Sequence, residues 1–261
     1  MNTILIHKNN NGIESIDDWF QFAPPKEGLR QWKDGRSAKE LAKAWFPQPG
    51  KPHIPEDLSF LLNSHPDLTG IEILEGIPEH KISLDNFRGE TRNADLVLVG
   101  KKGESKVSIN IEAKVDEPYD LTIIEKFGSV KNPRSKIPDR INLLCRALLG
   151  ETPESNSGLL KLRYQLLTGC AGTLIEADRI GAIKAVFVVH VFLSDAVNKE
   201  KIKSNDEDFI HFMRYFGCHD DEIIDDSVLI GPLKVPGGTF VPSKMPLYVG
   251  RIKTQLTGLL C

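Results

Sequence analysis

The chain is short of several features, and each shortage excludes a class. Only four of its 261 residues are cysteine, Cys145, Cys170, Cys218 and Cys261. None stands in a CxxC pair, so a zinc finger is excluded and free thiols in a reducing compartment are expected. Cys218-His219 is an ordinary local pairing. The longest apolar run, Ala182 to Leu193, is interrupted by Lys184 and His190 and is too short to span a bilayer. Met1 to Asn11 has apolar residues only at Ile4, Leu5 and Ile6 after its Met and lacks a signal-peptide core. A cytoplasmic, non-membrane protein is expected. No GxxxxGK[ST] run is present, which argues against a nucleoside-triphosphate site. Internal repeats and low-complexity tracts are also missing. The net charge of −3 and pI near 6.2 exclude a strongly basic nucleic-acid coat protein. They leave room for a local basic groove.

What is present centres on one hairpin. Asn93 to Val99 and Lys106 to Val115 are β-rich runs joined by the polar segment from Gly100 to Ser105, expected to form a loop longer than a tight turn. Val107, Ile109 and Ile111 alternate with Ser108, Asn110 and Glu112, the period-2 signature of a strand with one apolar face. Asp95 near the start of one strand and Glu112 near the end of its antiparallel partner would meet at one end of the sheet. Glu112 and Lys114 would project from the same face. Two neighbouring carboxylates resist joint ionisation unless a cation joins them. Mg²⁺, a hard ion, takes one or two carboxylates from a protein.

Around the hairpin, the pattern predicts a short strand over Thr3–His7 and a helix over 15–22. A second helix to Phe46 would have Ser37 as N-cap and Glu40 completing a capping box. A third is expected from Pro55 with Leu58, Phe60, Leu61 and Leu62 as its apolar content. Ile71–Glu75 alternates as a strand, with Ile82–Leu84 as its partner or the start of a longer strand. Beyond the hairpin come an acidic turn over 116–120, a basic proline-broken loop over 131–136, and a helix over 139–149. Lys126, Lys131, Arg134, Lys136, Arg140 and Arg146 are concentrated there and could guide a polyanion backbone. Only Phe127 is aromatic in that stretch, so base stacking is not indicated. Lys33, Arg36, Lys39 and Lys43 form either a phosphate-facing or a solvated helix face. Leu159 to Arg179 is strongly helical, with a core stripe of Leu159, Leu162, Leu166, Cys170, Leu174 and Ala177. Gly169 and Gly172 on the neighbouring stripe imply close approach of another backbone, the sheet. Ala185 to Phe192 suits a central strand buried on both faces. After it, Asp195 to Asp226 is charged and helical around Phe209–Phe216, and Leu247–Thr254 is expected as a final edge strand.

Asp95 with Glu112-Ala113-Lys114 resembles the motif of the PD-(D/E)XK nuclease superfamily, with Ala94 in place of the usual proline. The order helix, three strands, helix, strand and the run Arg163-Tyr164-Gln165-Leu166-Leu167 also resemble that superfamily. The resemblance covers about residues 56–193 and is specific at four positions. It implies an α/β fold of the restriction-endonuclease-like type: a mixed β-sheet flanked by helices with an α-β-β-β-α-β core. Residues 1–261 would form one nuclease-like domain, with 1–55 an N-terminal helical extension and 194–261 a C-terminal extension.

The same resemblance implies a magnesium-dependent endonuclease, a hydrolase of phosphodiester bonds in nucleic acid and most plausibly DNA, in a bacterial restriction or genome-defence setting. Mg²⁺ (or Mn²⁺) would be held by Asp95, Glu112 and the carbonyl of Ala113. Lys114 would orient a water or stabilise developing charge, and Gln165 would help position water or phosphate. A glutamate from upstream would join, with Glu40, Glu56, Glu72 and Glu75 as candidates. A homodimer is among the assemblies this implies. The alternatives left open are an inactive module of the same fold that binds nucleic acid or protein, and an enzyme acting on a small phosphate ester.

Overall fold

A computed structural model describes residues 4–89, 91–194 and 197–256. Cys261, Thr3 and Asp195 therefore lie outside the described residues. The fold is mixed α/β, an eight-stranded sheet between two layers of helices. The strands are β1 (Leu5–Lys8), β2 (Asn11–Gly12), β3 (Glu72–Ile82), β4 (Arg92–Lys102), β5 (Ser105–Lys114), β6 (Lys184–Leu193), β7 (Ile230–Leu233) and β8 (Leu247–Gln255). Their spatial order is β2-β1-β3-β4-β5-β6-β8-β7. β3, β4 and β5 form an antiparallel meander, and β5, β6 and β8 run parallel.

One face of the sheet is covered by α1 (Ile16–Phe22), α2 (Ser37–Trp45) and α3 (Glu56–Asn63), through Trp19, Leu41, Trp45, Leu58 and Leu61. The other is covered by α4 (Ile123–Gly128), α5 (Ile137–Leu149), α6 (Tyr164–Arg179), α7 (Lys199–Arg214) and α8 (Asp220–Ile224). β6 feeds both cores, with Phe187, Val189 and Val191 on one side and Val186, Val188 and Phe192 on the other. A continuous apolar run is therefore the correct composition for it. The order α3, β3, β4, β5, α6, β6 runs through the centre, with α4 and α5 inserted before α6. Among the described residues, no helix is long and apolar enough to cross a membrane.

Several local expectations are corrected. The β4–β5 connection is a tight two-residue turn, Gly103-Glu104, with Gly103 at φ +59°; Lys102 pairs directly with Ser105. Ile82 ends the same strand that begins at Glu72 rather than starting its partner. Phe60 is 65% exposed, since the buried face of α3 is filled by Leu58, Leu61 and Leu62. The N-cap of α2 is Arg36, not Ser37. Glu40 instead accepts from the Gly35 N–H and from Lys43, so there is no capping box. β8 is not an edge strand, because the short β7 lies outside it.

Helix α6 starts at Tyr164, five residues later than its apolar stripe suggests. Leu159 and Leu162 are still buried, but they belong to a 3-10 turn and an extended link bridged to Thr122. Its glycines do approach the sheet, though through side chains rather than backbone. A Cβ on Gly169 would lie 2.5 Å from the Phe187 ring, and one on Gly172 would lie 2.8 Å from Arg92 Cδ. Gly169→Ala gains about 1 kcal/mol of helix propensity but drives a methyl into an immobile ring. A net loss of roughly 1–2 kcal/mol in urea denaturation is expected.

Candidate active site

The meander, the carboxyl ends of the parallel strands and the first turn of α6 converge at one end of the sheet. In open α/β sheets that end is where ligands bind. There the β4–β5 ladder stops at Leu96↔Ile111, and β5 continues with β6 alone to Lys114↔Val191. The strand edge this exposes is closed by a side chain, as Asp95 Oδ2 accepts the Ala113 N–H at 2.7 Å. In a strand, the carbonyl of a residue lies along the same edge as its N–H. Ala113 O is thus a further oxygen beside Asp95.

Glu112 is 1% exposed, and both of its oxygens are engaged. Oε1 accepts from Lys114 Nζ at 2.9 Å and from Gln165 Nε2 at 2.5 Å. Oε2 accepts from Arg92 Nη2 at 2.8 Å. Burial alone would push this carboxyl up. The Lys114 ammonium and Arg92 guanidinium outweigh that and hold it below the usual carboxylate range. Lys114, itself buried, is correspondingly raised by Glu112 and Asp95 against the opposing pull of desolvation.

Asp95 is in the opposite position. Burial, then the charge of Glu112, pushes its carboxyl well above the usual value despite Lys114. Glu79, next in the row across β3, is pushed up to about 7 by burial and by Glu112, in spite of its bond from Asn93 Nδ2 and the charge of Lys8. Asn93 Oδ1 is buried without a partner. Arg92 and Lys114 both bond to Glu112, whereas Asp95 and Glu79 feel only the through-space charges of Lys114 and Lys8, which do not offset their burial. All the donors are hard oxygens, which suits Mg²⁺ or Mn²⁺. Among the described residues, no group of three or more His, Cys, Asp or Glu side chains is arranged to hold a metal. A cation here would rest on Asp95 and Glu112 with oxygens of other kinds.

Asp95, Glu112, Ala113, Lys114 and Gln165 thus all line one cleft of about 550 Å³. None of Glu40, Glu56, Glu72 and Glu75 lines it; Glu79 does. Glu40 is tied to Gly35 and Lys43, Glu72 to Lys101, and Glu75 to His7, while Glu56 is exposed on α3.

Glu79 and Arg92 are the two site residues that the pattern of the sequence concealed. Pro78 argues against a continuous strand at this position, yet β3 runs through it, paired to β4 at Leu96. Lys8 Nζ takes the outward carbonyls of Pro78 and Glu79 at 2.8 and 2.7 Å. Glu79 has φ +50°, and the in–out alternation slips there. Leu96 and Leu98 face the α1–α3 side, whereas Ala94 and Val97 both pack with Ile175 of α6. That slip turns Arg92 toward Glu112. The one available signal was a Glu beside a strand proline directly across from Asp95.

Glu79 has a pH consequence. Its folded value, about 7, lies above the ordinary 4.5, so it favours folding fully below pH 4.5 and loses that contribution as pH rises to about 7. Metal-free protein should therefore be less stable at the upper end of this window than at the lower end, and Glu79→Gln should reduce that difference, with Asp95, also raised, contributing the remainder in the same direction. Urea titrations at pH 4.5 and 7.5 measure the difference.

A second cleft of about 720 Å³ adjoins the first through Lys26, Gln31, Asn93, Asp120 and Gln165. Seven Lys and Arg side chains line it against one acid, Asp120. Lys126, Arg134, Lys136 and Arg140 are among them, whereas Lys131 and Arg146 are not. Arg140 is held by buried Asp85 at 2.5 and 3.0 Å, and Lys126 lies 4.8 Å from the centre of the Tyr164 ring. Lys39 and Lys43 of α2 both pair with Asp34, and of the four basic residues around that helix only its N-cap, Arg36, lines the first cleft.

No curated protein and no solved structure matches the chain. A family model described as "Domain of unknown function (DUF6946)" matches residues 12–256, nearly the whole length, and the chain belongs to that family.

Proposed function

We propose that the protein is a metal-dependent phosphodiesterase acting on nucleic acid, with a fold of the restriction-endonuclease-like type. The observation that carries this reading is the row Glu79–Asp95–Glu112 at the sheet end, beside Lys114 and Gln165 and open to a basic cleft. Like charges opposite one another on a sheet are destabilising, and a bound cation would offset that repulsion. Mg²⁺ on Asp95, Glu112 and Ala113 O would supply an activated water and charge neutralisation at the phosphate. Lys114, with Gln165 beside it, would hold the attacking water or a phosphate oxygen in place. The basic cleft would track the neighbouring backbone phosphates, an interaction weakened by salt. DNA is the preferred substrate in this reading, and restriction or genome defence its setting, by resemblance alone.

The test is a panel of duplex, single-stranded and RNA substrates incubated with Mg²⁺ or Mn²⁺. Cleavage abolished by EDTA is expected. Absence of cleavage across the panel, with retained nucleic-acid binding, would favour an inactive module of the same architecture.

A further inference from the structure

Arg92 lines the basic cleft and reaches the acidic one through Glu112. Its guanidinium is 3% exposed and bonded to Glu112 in the acidic cleft, yet it also forms part of the floor of the basic one. Its donors are poorly used. Nη1 reaches Thr168 Oγ1 only at 3.4 Å, and Nε is buried with no partner. Five N–H donors with one short bond among these contacts is an unusual state for a buried arginine. Space has nevertheless been cleared for it, because any residue but glycine at 172 would collide with its Cδ. The Phe187 ring lies 5.8 Å beneath the guanidinium carbon. The group is thus accommodated, charged and short of acceptors, at the boundary between a carboxylate and a cleft lined mainly by Lys and Arg.

We propose that Arg92 couples the two clefts. In the ligand-free protein it occupies Glu112 Oε2. When a phosphate enters the basic cleft, the guanidinium turns its N–H groups to the phosphate oxygens, a geometry that suits a planar fork. Glu112 Oε2 is then released to a divalent cation. Phosphate and cation binding therefore assist each other, and linkage requires the assistance to be equal in both directions. The consequence is an enzyme that completes its cation site only on substrate. This coupling rests on the proposed cation site at Asp95 and Glu112.

The experiment is calorimetric titration of Mn²⁺ into the full chain, with and without saturating thymidine 3′,5′-bisphosphate, which has no phosphodiester bond to cleave. The nucleotide should tighten Mn²⁺ binding by about tenfold or more in the wild type. In Arg92→Gln the factor should fall below about two, while Arg92→Lys should retain an intermediate factor. Equal coupling in wild type and Arg92→Gln would mean that phosphate simply ligates the ion, and would overturn the proposal. Should Arg92→Gln fail to fold, Thr168→Val serves in its place. Freeing Nη1 from its long bond should preserve or enhance coupling, and loss of coupling there would overturn the proposal. A wild type that binds Mn²⁺ and cleaves nucleic acid but shows no coupling would overturn this inference alone. A wild type that binds no Mn²⁺ under either condition would also overturn the cation site beneath it.

Discussion

Lys114→Met is expected to slow the proposed metal-dependent cleavage by about 10²–10³-fold, the usual loss when a preorganised charge at a reacting centre is removed. Methionine preserves most of the volume of this buried side chain, which is 6% exposed, so packing changes little. The ammonium sits 2.9 Å from Glu112 Oε1 and lines the cleft with Asp95. It is therefore placed to act on a water or phosphate held between them. Mn²⁺ affinity should be unchanged or higher, because one competitor for Glu112 is gone. Single-turnover rates at saturating Mn²⁺ separate the two effects. A parallel loss of Mn²⁺ binding would instead assign Lys114 to building the site rather than to the chemistry.

Arg92→Met should lower stability by about 3 kcal/mol, since it strips one cation from a fully buried carboxylate. Lys114 and Gln165 remain on Oε1, but Oε2 would be left without its donor. Adding Glu112→Gln should recover most of that loss, because a neutral amide does not need the guanidinium. Urea denaturation of both single variants and the double closes the cycle. A double variant no more stable than Arg92→Met would show that Arg92 contributes mainly by packing on Phe187.

Side-chain periodicity made the hairpin, the buried strand β6 and the stripe of α6 legible, because each depends on local alternation that burial enforces. Asp95, Glu112 and Lys114 follow from one register, and Gln165 from being on the first turn of the helix that packs on that register. The rest depends on departures from regularity. Glu79 and Arg92 lie at the slip in β3 and β4, where side chains change face without any change in composition. Leu159 and Leu162 satisfy a helical stripe while being held by a 3-10 turn and a bridge to Thr122. The edge position expected for β8 overlooked β7, whose four residues include Gly231 and Pro232 and carry little strand signal. Gly172 illustrates the same point, since its constraint is Arg92, a partner 80 positions upstream.

In the proposed function the carboxylates at this sheet end hold a cation. Calorimetric Mn²⁺ titration of the wild type and Asp95→Asn at pH 7.5 tests it most directly. Asparagine can still accept the Ala113 N–H, so the strand edge stays closed, and metal-free stability should be equal or higher because repulsion with Glu112 is relieved. One Mn²⁺ site is expected in the wild type, lost or weakened by at least about tenfold in Asp95→Asn. Equal binding by both proteins, or a metal-free Asp95→Asn clearly less stable than the wild type, would contradict it.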